Sequence, residues 1–294
     1  MSKHVVARNV CNLYADESQS ELVSQAILGQ VVWKADESAE HIHVETGDLY
    51  KGHVRKHVLI AQSSVSKTKN GCAKQVKAMF APVRRRANCS SKIITTLVMS
   101  TIVTVIGNRN GHHRVQLPGG EIGYVCGCTL ANPVGTIRAA LSASTISSAA
   151  RKAVNIAVQL VGTPYLWGGC TPYGIDCSGL VQLSYGMSGV PMLRDAHMQF
   201  ADARLIPTAV AEDFESAQFK EGDLVFFGKT FADGSPVKVT HVGMIMAGGR
   251  MVHSAGGYGV VIEERRGHLL SSSYLGARSL KPEARLALEH ARPV

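Results

Sequence analysis

Apolar positions in the first 132 residues fall in short β-branched runs broken by Gly, Asn and Asp, a pattern that predicts strands joined by tight turns. Laid over itself at an offset of 71, this half repeats. Ser20-Glu21-Leu22-Val23 falls over Ser91-Lys92-Ile93-Ile94, Val31-Val32 over Ile102-Val103, Val44 over Val115, and Gly52-His53-Val54 over Gly123-Tyr124-Val125, with no gap. A unit of roughly 50 residues that occurs twice predicts two copies of one small all-β barrel. The copies are expected at 1–60 and 76–132, with the Ser- and Lys-rich stretch 61–75 as a linker.

Beyond a boundary near Asn132-Pro133-Val134-Gly135 the period changes. Ile146, Ala149, Ala150, Ala153, Ile156, Ala157 and Leu160 recur at helical spacing and stop before Gly162. A loop, 163–175, leads to a second helix from Cys177 to about Met187, with Asp176 where an N-cap stands. Strand-like runs follow at 223–228, 241–246, 251–254 and 260–263. Helices followed by antiparallel strands predict an α+β module over 133–294.

Composition narrows the function classes. With 45% hydrophobic and 18% charged residues the chain has the apolar content of a globular protein, which excludes wholesale disorder. No apolar run reaches the roughly 20 residues of a membrane span, and Met1-Ser2-Lys3-His4-Val5 does not open a secretory signal, so a cytoplasmic location is expected unless a leader has been removed. Seven cysteines without paired zinc spacing argue against a disulfide scaffold or a structural metal, and no cofactor is expected. The net charge is +9, and the excess belongs to the first half: between Leu49 and Gly120 there are 13 Lys/Arg, including Arg84-Arg85-Arg86, and no acidic residue. This stretch is read as a solvated basic face rather than a nucleic-acid site.

The candidate chemistry lies in the second half. Cys177 at a helix start is placed where unsatisfied N–H groups favour a thiolate nucleophile. His241 and His253 stand twelve residues apart around Ala247-Gly248-Gly249. In a hairpin centred on Gly248, His241 opposes Ala255 and His253 opposes Gly243, so both rings project from one face as diagonal neighbours. One then acts as base and the other orients it.

Gly162-Thr-Pro-Tyr165-Leu-Trp167-Gly-Gly169, Asp176-Cys177-Ser178-Gly179-Leu180-Val181, Gly222-Asp223-Leu224-Val225-Phe226-Phe227, His241-Val242-Gly243 and His253-Ser254, in this order, resemble the motifs of the NlpC-type cell-wall cysteine peptidases over about 145–280. The resemblance implies a papain-like catalytic domain with Cys177 as nucleophile, His241 as base and His253 as the orienting third member. It also implies that Tyr165, with the Cys177 backbone N–H, stabilises the oxyanion, whereas Trp167 is expected to serve only in packing. The repeat looks like a tandem of bacterial SH3-like domains. The whole is similar to γ-D-glutamyl-L-diamino acid endopeptidases, whose substrate is a peptidoglycan stem peptide with a free L-alanine amino terminus. Asp176, Ser178, Arg194 and Asp195 then become candidate substrate ligands. So do Tyr50 and the acidic Asp16 and Glu17 of the first copy, which in such enzymes closes one end of the cleft. Departures are Ala196 where serine is common, His53 and Tyr124 where tryptophan often follows glycine, and a longer interval from Cys177 to His241. Two alternatives are a non-catalytic wall-peptide-binding protein, which normally lacks one triad member, and a lipid acyltransferase or phospholipase, in which the histidine precedes the cysteine.

Overall fold

The protein is described by a computed structural model for residues 2–65, 71–135, 142–208, 213–231, 233 and 236–281. It divides into two compact units, the first ending at Val134 and the second beginning at Gly135. Among the described residues no helix is long and apolar enough to cross a membrane.

The first unit contains the repeat. Strands β1 (Lys3–Val6), β2 (Val10–Tyr14), β3 (Leu22–Ile27), β4 (Val31–Glu37), β5 (His41–Glu45), β6 (Lys51–Arg55) and β7 (Leu59–Ala61) are followed by β8 (Cys72–Val76), β9 (Phe80–Arg84), β10 (Ile93–Val98), β11 (Ile102–Arg109), β12 (His112–Gln116), β13 (Ile122–Cys126) and β14 (Leu130–Ala131). Each set forms one seven-stranded sheet, ordered β3-β2-β6-β5-β4-β1-β7 and β10-β9-β13-β12-β11-β8-β14. The second order is the first with seven added to every label. Alternation supplies the cores: Leu13, Val32, Val44 and Val54 are buried in one copy, and Val83, Val103, Val115 and Val125 take the same places in the other. Cys11 is a core residue facing the place that Ala81 fills in the second copy, and burial pushes its thiol up to about 12.

Two details depart from the sequence expectation. Strand β8 begins at Cys72, inside the stretch 61–75 read as a linker, and the second copy therefore starts before residue 76; residues 66–70 lie outside the described residues. The offset of 71 holds from β3 onward, but β1 and β2 align with β8 and β9 at an offset of 70, as Val6 with Val76 and Leu13 with Val83. The extra residue sits in the β9–β10 connection, where the pattern is polar and length costs little. The glycine that opens the Gly-x-Val match has a steric reason in both copies. A Cβ at Gly52 would lie 2.9 Å from the Cβ of Leu13, and one at Gly123 would lie 2.3 Å from Val83 Cγ1.

The second unit contains α1 (Ala143–Gln159), β15 (Cys170–Thr171), β16 (Gly174–Ile175), α2 (Cys177–Gly186), α3 (Ala196–Phe200) and strands β17 (Leu205–Thr208), β18 (Leu224–Lys229), β19 (Lys238–Ile245), β20 (Met251–Ala255), β21 (Gly259–Glu263) and β22 (Tyr274–Leu280). Ser142 caps α1 by accepting from the Thr145 N–H at 3.2 Å, and the buried face is mostly small: Ala149, Ala150, Ala153 and Ala157. The six-stranded sheet runs β17-β22-β18-β19-β20-β21. Strands β17 and β22 and helix α3 carry too few periodic positions to be read from sequence alone. Phe214, Val225, Phe227, Ile245 and Met251 form the core on one side of this sheet.

Candidate active site

Helix α2 brings Cys177 to its first position. Asp176 is the N-cap, its carboxylate accepting from the Gly179 N–H at 2.7 Å. The helix start can press onto the preceding loop because Gly179 has no side chain: a Cβ there would lie 2.3 Å from the Gly169 carbonyl oxygen. On the far side the Cys177 sulfur takes hydrogen bonds from the N–H groups of Ser178 and of Val242, the residue after His241. Ser254, beside His253, donates its hydroxyl to the Ile175 carbonyl at 2.7 Å. The two strands that carry the histidines are thus tied to the segment that carries the cysteine.

The β19–β20 hairpin has the expected register. Met244 pairs with Val252 and Ile245 with Met251, which puts His253 opposite Gly243. A Cβ on Gly243 would meet Met251 Sδ at 2.5 Å, so the residue facing His253 has to be small. His241 Nε2 lies 2.8 Å from His253 Nδ1, with the rings edge to face. His253 is buried, its own Nε2 lying 2.8 Å from Glu263 Oε2. His268 Nε2 reaches the same carboxylate oxygen at 2.6 Å.

Electrostatics favour neutral partners at rest. Burial pushes the Cys177 thiol up to about 12, with the Asp176 carboxylate acting in the same direction and the two N–H donors opposing it. The helix start favours the thiolate, and enclosure of the sulfur acts against it. Burial, then His253 and His268, push His241 down to about 3. Burial also lowers His253, and Glu263 partly restores it.

Tyr165 bridges Ile175 through its backbone, two residues before the cysteine, and burial together with Cys177 pushes its phenol up to about 12, so it stands as a neutral donor. Trp167, expected only to pack, is 60% exposed.

Arg194 is buried and donates to both Asp176 oxygens, at 3.1 and 2.6 Å, and to Ser178 Oγ at 3.0 Å. Asp176 also accepts from the Gly168 N–H at 3.0 Å and from the Ser178 hydroxyl at 3.1 Å. Asp176, Ser178 and Arg194, read as substrate ligands, are engaged with one another beneath the helix start. Arg194, 1% exposed, spends these donors inside the protein. Asp195, with its side chain 30% exposed, lies 4.0 Å from His197 Nδ1. In the first unit, Glu17 lies 3.9 Å from His41 Nδ1 and 4.0 Å from His53 Nδ1, Asp16 is held below the usual carboxylate range first by the Ser18 hydroxyl, and Tyr50 accepts the Thr46 N–H and hydroxyl through its carbonyl.

Glu263 and His268 were missed by sequence reasoning. The signal was present, since strand 260–263 follows the turn at Gly256-Gly257 and the hairpin logic applied to His253 extends to it. His253, Glu263 and His268 bring three metal-ligand-type atoms within 4.8 Å of one another, but the hydrogen bonds among them already engage these atoms.

Residues 162–279 match the NlpC/P60 family. Dipeptidyl-peptidase 6 of Lysinibacillus sphaericus is 28% identical over 232 residues, covering 76% of this chain and 80% of that protein. The gamma-D-glutamyl-L-lysine dipeptidyl-peptidase of Bacillus cereus is 36% identical over 106 residues, covering 36% of this chain and 28% of its own length. The crystal structure of an NlpC/P60 family protein from Bacillus cereus superposes with a TM-score of 0.76 at 20% identity, over 96% of this chain and 100% of that one, a likeness of fold.

Proposed function

Residues 162–279 form an NlpC/P60 domain, a cysteine peptidase domain, and from that premise we propose that this chain cleaves the bond between D-γ-glutamate and an L-diamino acid in peptidoglycan stem peptides. The observation that carries the reading is a cysteine at a helix start held against the strand of an imidazole whose second nitrogen is already bound to another imidazole. With Nε2 of His241 engaged by His253, Nδ1 is the nitrogen left to take the sulfur's proton.

The steps follow from that arrangement. His241 accepts the Cys177 proton as the sulfur attacks the γ-glutamyl carbonyl. The carbonyl oxygen gains charge and is met by the Cys177 N–H and the Tyr165 hydroxyl, a donor whose high pKa keeps its proton in place. His241 returns the proton to the departing amine, leaving an acyl-thiol that a water, deprotonated by His241, hydrolyses. Burial works against the charged form of both partners.

We assign the two amino-terminal sheets to SH3-like modules on their matched strand order and the Gly52 and Gly123 contacts. Substrates are proposed to be fragments with a free L-alanine amino group, for whose protonated amine the partly exposed Asp195 is a carboxylate of opposite charge. Tyr50 and Glu17 are proposed to contribute to the same preference. The names of the relatives support this substrate class, two being dipeptidyl-peptidases.

The test is mass spectrometry of products from L-Ala-D-γ-Glu-diamino acid peptides with free and N-acetylated termini. Cleavage after D-γ-glutamate of the free peptide alone is expected, with Asp195→Asn and Tyr50→Ala lowering the preference for the free terminus. Equal cleavage of both peptides by the parent enzyme contradicts the amine requirement, and no cleavage of either contradicts the peptidase reading for these substrates.

A further inference from the structure

Three adjacent strands present a row of proton-carrying groups on one face. His241 on β19 and His253 on β20 are diagonal neighbours. His253 pairs with Val261 and Met251 pairs with Glu263, so Glu263 on β21 repeats the same diagonal one strand further. Beyond the strand, His268 closes the row against the Glu263 carboxylate, its ring packed near Phe227 and Phe214.

The hydrogen-bond chemistry of this row leaves one protonation pattern. The Leu270 backbone N–H lies 3.1 Å from His268 Nδ1, and an amide N–H can only donate. His268 Nδ1 is therefore an acceptor, and its proton is on Nε2, aimed at Glu263. Burial opposes ionisation of Glu263, but the hydrogen bonds from His253 and His268 outweigh it and hold the carboxyl below its ordinary value. A carboxylate accepts only, so His253 carries its proton on Nε2, where it meets Glu263 at 2.8 Å. His253 Nδ1 is then bare and accepts from His241 Nε2–H at 2.8 Å. His241 Nδ1 is left with a free lone pair.

Resting on the thiol-peptidase reading, we infer that Glu263, held by His268, is a positioning residue that sets the tautomer of His241 through His253, so that Nδ1 is ready to receive the Cys177 proton. Without an anion at 263, His253 can place its proton on Nδ1. It then faces His241 Nε2 as a donor, forces the His241 proton onto Nδ1, and turns the base away from its task. When His241 is protonated during turnover, its charge also gains a counter-charge two hydrogen bonds away.

The experiment uses the full chain with 15N-labelled histidine rings, the His241 signals being assigned by their loss in His241→Asn. Long-range 1H–15N spectra of the parent protein are expected to show His241 protonated on Nε2 and bare on Nδ1. Glu263→Gln, which keeps the shape and removes the anion, is expected to mix or reverse that tautomer and to lower kcat about 10- to 100-fold with KM little changed. A parent His241 carrying its proton on Nδ1 overturns the inference, and this reading needs no variant to fold. So does a folded Glu263→Gln variant that keeps the parent tautomer and kcat. An inactive parent protein with the expected tautomer leaves the row intact and counts instead against the peptidase reading.

Discussion

The repeat unit and the second unit are both built mainly on antiparallel sheets, yet they bury different things. In the repeat unit the two sheets bury mainly aliphatic side chains, and among the described residues Cys11, Glu45 and His112 are the ionisable groups buried there. In the second unit Asp176, Arg194, Asp202, Asp223 and His253 are all buried, most of them in ion pairs or hydrogen bonds. Aliphatic burial stabilises without regard to orientation, so one pattern was able to serve twice at changed sequence. Buried polar groups are costly unless every partner is in place, so the second unit is specified by particular atoms. Stability is carried by area in one unit and by geometry in the other.

The largest expected effect sharpens this contrast at the thiols. Cys177→Ser should abolish turnover in the peptide assay while thermal melting stays near that of the parent protein. Cys126→Ser and Cys128→Ser, which alter an exposed or partly exposed pair in the repeat unit, should keep most of the activity. A loss in Cys126→Ser as complete as that in Cys177→Ser breaks the division between the units. His241→Ala removes the proton acceptor and should cost about 10²- to 10⁴-fold in kcat, whereas His253→Asn, which retains a polar partner, should cost less.

Next comes the buried ion pair. Arg194→Met leaves Asp176 and Ser178 enclosed without their cation and should lower the stability of the second unit by about 3–5 kcal/mol. The exposed trio Lys34, Lys56 and Glu37 in the repeat unit gives the counter-case, and Glu37→Gln should leave the denaturation midpoint essentially unchanged. Urea titrations of both variants decide the matter, and similar midpoint shifts for the two count against the contrast.

Acid offers a milder way to separate the units. Because His241 titrates at about 3 in the folded protein against an ordinary 6.5, the unfolded chain binds a proton between these values that the folded chain does not. Stability from this site is therefore present above pH 6.5 and is lost as pH falls toward 3. His253 and Glu263, both lowered, act in the same direction. Urea midpoints measured from neutral pH downward should fall for the parent protein and fall less steeply for His241→Asn. An unchanged slope in that variant removes the burial argument.

The smallest effect tests the repeat. Two turn positions take left-handed backbone in both copies: Gly29 matches Ser100 at φ +77°, and Leu49 at φ +68° matches Gly120. Each copy thus has glycine at one of the two places and an L side chain at the other. Ser100→Gly should raise stability by roughly 0.5–1 kcal/mol, read as a small rise in melting temperature, because glycine holds that conformation without the Cβ clash. A fall instead means that the Ser100 side chain does more than fill a turn.

What the sequence determined by itself is whatever repeats over a short distance. Alternation and offset disclosed the two sheets, helical spacing disclosed α1, and Asp176 before an apolar helix disclosed both the cap and the place of Cys177. Even the His241–His253 contact was legible, because a hairpin links them through a turn of fixed register. What only the tertiary structure decided depends on burial and on groups far apart along the chain. The enclosure of Arg194 against Asp176, eighteen residues earlier, is set by the fold. The helix position of Cys177 favours the thiolate, whereas enclosure pushes the thiol up, and enclosure is a property of all the elements around it. His268 joins the row beside Glu263 through a loop with no periodic signal, fixed by one backbone N–H from Leu270. Local propensity acts within a turn or a hairpin, whereas desolvation and long-range pairing exist only once the chain has closed on itself.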